Sequence, residues 1–166
     1  MTKTKTVASI LFALALTACA SGCEEVPKPR IKEGRFNFSV TYAVHGEEVT
    51  ISGVYVCKFV KATASINGWW REWKTYIEGS DMKEEVEILT NEDGVIYLDL
   101  GLDAFYFMSD PFYDEEFPQP ELSIYYNEML REETGEFWSF EPEVLESYGV
   151  TLISYEYDPP IENVYE

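Results

Sequence analysis

The chain has 166 residues and a formal charge of −19, with 12 Lys and Arg against 31 Asp and Glu. That length suits one domain with a real core, and an aromatic content of 16% argues against a disordered polyelectrolyte. The lack of basic surface excludes binding to nucleic acid through its phosphates, and favours cationic partners: divalent ions, basic peptides or a basic protein face.

Lys3 and Lys5 precede an apolar run from Val7 to Leu16, and Thr17, Ala18 and Cys19 follow. A basic start, a short apolar core and small residues before a cut describe a secretory signal peptide. The run is too short to cross a bilayer, which takes roughly 20 apolar residues. Leu16-Thr17-Ala18-Cys19 resembles the lipobox of bacterial lipoproteins. The resemblance implies a diacylglyceryl group on the Cys19 sulfur and removal of residues 1–18. Ala20-Ser21-Gly22-Cys23 is a rival, but its first position is Ala and it lies further from the apolar run. Cys19 is therefore favoured. Two acyl chains attach a protein stably without a transmembrane helix. The expected location is the outer face of the bacterial cytoplasmic membrane. Cleavage would remove two lysines and no acid, taking the charge to −21. Anionic headgroups repel such a body, so the lipid is expected to do the anchoring while the body stands away.

Residues 19–34 are rich in Pro, small and charged residues, and are expected to form an extended tether with no core face. A single β-rich domain, 35–166, should follow. Phe36, Phe38, Val40, Tyr42 and Val44 alternate with smaller or polar residues, the period of a half-buried strand. His45-Gly46 suits a two-residue hairpin turn. A return strand is expected over 48–60, with Val49, Ile51, Tyr55, Cys57 and Phe59 on one side and a bulge at Gly53. Alternation resumes from Arg71, with Trp73, Thr75 and Ile77 on one face. A strand over 85–90, a turn at Asp93-Gly94 and a return strand with Ile96, Leu98 and Leu100 inward make a second hairpin.

Residues 103–109 fit either a short strand or one helical turn, and 110–120 read as a loop of prolines and acids. Leu122, Ile124 and Tyr126 mark another strand, and Gly135 opens a short segment with Phe137, Trp138 and Phe140. One helix is expected over 141–148, started by Pro142 and stopped by Gly149, and a last strand over 150–157. Short strands, tight turns and one short helix near the C-terminus predict a mainly β protein: an antiparallel β-sandwich or a curved sheet. Tyr55-Val56-Cys57, Arg71-Glu72-Trp73-Lys74 and Leu152-Ile153-Ser154-Tyr155, with Pro159-Pro160-Ile161-Glu162-Asn163, resemble small uncharacterised lipoproteins of Gram-positive bacteria. The resemblance spans 35–163 and implies no activity.

No catalytic constellation stands out. His45, the one histidine, sits in a turn, a poor place for an oriented base. Cys57 lies on the apolar side of its strand and reads as a buried free thiol, although export would permit a Cys23–Cys57 disulfide. With 31 acids, some carboxylate pair falls in the glycosidase range of about 5–10 Å by chance, so the count carries no information. Asp110, Asp114, Glu115 and Glu116 share one loop and are weak calcium candidates, since Ca²⁺ takes hard oxygen ligands. The EF-hand pattern is absent, and no cofactor is expected. Trp69 and Trp70 are adjacent, so a strand would send them to opposite faces. Trp69, Trp70 and Tyr113 are candidate ligand contacts, while the competing reading puts Trp69, Trp73 and Trp138 in the core. The expected function is a non-catalytic binding or accessory module for a protein or envelope partner, with a carbohydrate-binding or calcium-dependent surface lipoprotein as the alternative and an enzyme as the third reading. A monomer is expected.

Overall fold

The computed structural model describes residues 26–65, 68–111, 118–135 and 137–166. In chain order these form β1 (Glu33–Val44), β2 (Glu47–Ser65), β3 (Gly68–Ile77), β4 (Glu85–Thr90), β5 (Gly94–Asp99), α1 (Ala104–Phe107), β6 (Glu121–Tyr126), α2 (Glu128–Thr134), β7 (Trp138–Ser139), α3 (Pro142–Ser147) and β8 (Val150–Tyr157). Two four-stranded antiparallel sheets result, ordered β3-β2-β1-β8 and β4-β5-β6-β7. They enclose one core, as in a β-sandwich.

The period-two pattern explains the layering. Phe36, Phe38, Val40 and Tyr42 turn inward from β1. They join a single buried cluster with Ile96, Leu98, Leu122 and Ile124 from the other sheet. Each such side chain contributes about 1.5–3 kcal/mol on burial. His45 and Gly46 both have positive φ, 52° and 84°, and so form the hairpin turn whose twist matches its strands.

Four expectations need correction. Gly53 is not a bulge: β1 and β2 stay in register through Phe38↔Gly53. A Cβ there would lie 3.1 Å from Ile77 and 3.2 Å from the Phe38 ring, so the missing side chain admits those neighbours. The register shifts in this sheet fall instead between Phe59 and Lys61 and between Thr41 and Tyr42.

The helix count is also different, with three short helices among the described residues. At 103–109 the Asp103 carboxylate accepts from the Phe105 and Tyr106 amides, capping one helical turn. The second helix, 128–134, has good helix formers and a positive-φ Gly135 after it, but little apolar periodicity to announce it.

The third correction concerns the tether. Residues 26–32 lie against the body: Val26 is buried, and backbone bonds link Lys28 with Glu166 and Arg30 with Val164. The two ends of the domain thus zip together, with Pro29 opposite Tyr165. The last correction is Trp138, which is exposed and is treated below.

Candidate functional site: an aromatic row on the second sheet

On β5 the inward residues Ile96 and Leu98 leave Val95, Tyr97 and Asp99 on the outer face. On β6, Leu122 and Ile124 point inward, and Tyr125 points out. Register then assembles the site. Val95 pairs with Tyr125, Tyr97 with Ser123, and Tyr125 with Trp138. Directly opposite residues on neighbouring strands share a face, and diagonal neighbours are within reach of aromatic rings. The Tyr97 and Tyr125 rings therefore meet at 5.5 Å, and the Tyr125 and Trp138 rings at 6.1 Å. Phe137 continues the row, 6.3 Å from Trp138, and the Arg131 guanidinium from α2 lies 5.0 Å from the Phe137 ring.

The row is open to solvent: Tyr125 is 41% exposed, Trp138 51% and Phe137 58%. Trp138 departs from its expected core position because β7 is the outer strand and its partner Tyr125 fixes the outward side. Gly94 lets β5 and β6 approach beneath the row. A Cβ at Gly94 would lie 2.1 Å from the Tyr125 carbonyl oxygen. Beside the rings runs an open groove lined by Glu85, Val95, Tyr97, Tyr125, Tyr126 and Asn127. Tyr148 braces the hairpin below by donating to Asp93 at 3.0 Å. Burial and that bond push its hydroxyl up to about 12.

The ring geometry limits what the row can hold. Tyr97 and Tyr125 stand at 87°, and Tyr125 and Trp138 at 54°. Edge-to-face rings are a stable packing arrangement, but they do not form one flat platform for a run of sugar rings. Tyr, Trp, Phe and Arg in contact have the composition of a protein hot spot.

The residues singled out in the sequence fall elsewhere. Trp70 is 47% exposed on the first sheet, opposite Thr63 on β2. Cys19, Tyr113, Asp114, Glu115, Glu116 and the Trp69 side chain lie outside the described residues. Asp110 is turned into the protein. Its carboxylate accepts from Arg71 at 2.5 Å and from the Trp73 indole at 3.2 Å. Both oxygens are committed to protein donors, which a calcium ligand would have to give up. Among the described residues there is no group of three metal-ligating side chains.

Cys57 is buried and free, and burial pushes its thiol up to about 12. At pH 8 it would hold on the order of a thousandfold less thiolate than an ordinary cysteine. Iodoacetamide should therefore leave Cys57 unmodified in the folded chain and label it rapidly in urea, as read by peptide mass. Rapid labelling without denaturant would show that the thiol is accessible.

No family model, curated protein or solved structure matches this chain.

Proposed function

We propose that the chain is a lipid-anchored, extracytoplasmic binding module without catalytic activity, which holds a protein partner on its aromatic row. The observation that carries this reading is the contact of Tyr97, Tyr125, Trp138, Phe137 and Arg131 across β5, β6, β7 and α2, with Tyr125, Trp138 and Phe137 exposed. Aromatic rings and arginine supply most interface energy, and solvent exposure of several together is costly unless something covers them. The strong negative charge favours a partner whose contact face is basic.

The lipobox supports the anchor. Cys19 lies seven residues before Val26, the first described residue. A chain of that length reaches at most about 25 Å. The body would then sit close to the bilayer, nearer than a tether running to residue 34 would hold it. Cys19→Ala is expected to move the protein from the membrane fraction to the medium or the periphery. Full membrane retention of that variant would remove the anchor from the reading.

Binding is tested by photo-crosslinking on intact cells, with a benzoyl-phenylalanine at position 125 or, as control, at position 70 on the opposite sheet. A discrete protein adduct from position 125, lost on Trp138→Ala and absent from position 70, is the expected result. Equal adducts from both positions would deny the row a special role. A thermal shift with envelope glycans that Trp138→Ala abolishes would make the ligand a sugar.

A further inference from the structure

A second feature lies at the open side of the sandwich, where β6 of one sheet faces β8 of the other. α3 packs against both strands there and leaves a cleft of about 310 Å³ beside it. Leu122, Phe140, Leu145 and Leu152 line it, and Glu121 and Glu146 stand on its rim. Phe140 is 43% exposed, and both glutamates are exposed. This volume is at the small end of ligand pockets, which orient polar ligands with convergent donors. The cleft lining has no such set: the Thr151 hydroxyl is its one side-chain donor, and its charged groups are carboxylates alone.

Charge decides what kind of chain would enter. Residues 132–166, which finish α2 and make β7, α3 and β8, contain ten acids and no Lys, Arg or His. A second copy of this chain, itself at −19, would be repelled. The wall at Val150–Leu152 belongs to β8, the outermost strand of the first sheet. An edge strand accepts an added strand, and alternate side chains of that strand then drop into neighbouring pockets.

We propose that this cleft receives an apolar side chain from an extended, lysine- or arginine-bearing segment of a partner protein, lying beside β8. The apolar side chain fills the space among Leu122, Phe140, Leu145 and Leu152. The flanking cations face Glu121 and Glu146. The site is separate from the aromatic row, because Leu122 and Tyr125 point to opposite faces of β6. It does not depend on what binds there.

The probe is a short acetylated peptide alternating lysine and isoleucine, titrated into the full chain in detergent and followed by anisotropy and amide NMR shifts. Saturable binding that weakens as salt rises is expected, with shifts centred on 120–122 and 140–152. Phe140→Asp, and separately the pair Glu121→Lys and Glu146→Lys, should each weaken it by roughly tenfold or more. These side chains are exposed, so the variants should keep the wild-type spectrum elsewhere. Tyr125→Ala should leave the affinity unchanged. The proposal is overturned if the peptide does not bind. It is equally overturned if these variants bind it like the parent, if a glutamate-isoleucine peptide binds as well, or if the shifts fall on Tyr97 and Tyr125.

Discussion

Replacing Asp110 with alanine is expected to destabilise the folded chain by about 3–5 kcal/mol, the usual cost of leaving a buried charge without its partner. The side chains of Arg71 and Asp110 are both fully buried and lie 2.5 Å apart. Arg71 also donates through Nε to the Pro27 carbonyl at 2.8 Å, and its guanidinium lies 4.2 Å from the Tyr165 ring. Tyr165 in turn donates to the Met108 carbonyl at 2.8 Å. One guanidinium therefore ties β3 to the start of the domain, to its end and to the segment after α1. Urea unfolding followed by tryptophan fluorescence measures the loss. A second effect should accompany it: faster proteolysis within 26–32, whose packing uses the same group. Arg71→Met combined with Asp110→Leu should recover most of the stability, since replacing a whole buried pair by apolar residues is often neutral or better. A loss below about 1 kcal/mol for Asp110→Ala would mean that water reaches the guanidinium when its partner is gone.

Phe107→Ala should cost a similar amount, about 3–5 kcal/mol, through the cavity it leaves. Phe107 is fully buried and is the meeting point of four rings: Phe36 at 4.7 Å, Tyr106 at 5.3 Å, Tyr55 at 5.7 Å and Tyr157 at 6.1 Å. Three of these, Phe36, Tyr55 and Tyr157, come from the first sheet, so the ring plugs the core at its end. Its carbonyl also accepts from the Ile161 amide at 3.0 Å, which draws in the tail after β8. Phe107→Leu, which keeps part of the volume, should lose clearly less than Phe107→Ala. Thermal unfolding of the pair compares them. Equal losses would point to the aromatic contacts, not the volume, as the source. Combined with Asp110→Ala the effects should fall short of additive, because the Asp110 amide donates to Phe105 of the same turn at 2.7 Å.

Much of the site is legible in the alternation. Once Ile96, Leu98, Leu122 and Ile124 are assigned inward, Tyr97 and Tyr125 must point out. High aromatic content makes the core the first expectation for such rings and masks that consequence. Trp138 carried less signal, since a two-residue strand has no period to read. The acidic, base-free stretch 132–166 was equally legible, but nothing local says that it borders a cleft.

The sequence by itself determined the longer strands, their inward faces and the hairpin turns, because side-chain period and turn chemistry act over a few residues. Asp103 and Pro142 likewise carry their helix starts locally. Only the tertiary structure decided the pairing of β1 with β8, the clamp of Arg71 on Asp110, and the zipping of 28–30 with 164–166. It also decided which outward rings touch. Those contacts join residues far apart in the chain, and they depend on strand order and register. Order and register are set by how the whole apolar surface is buried at once, a property that no short window of residues contains.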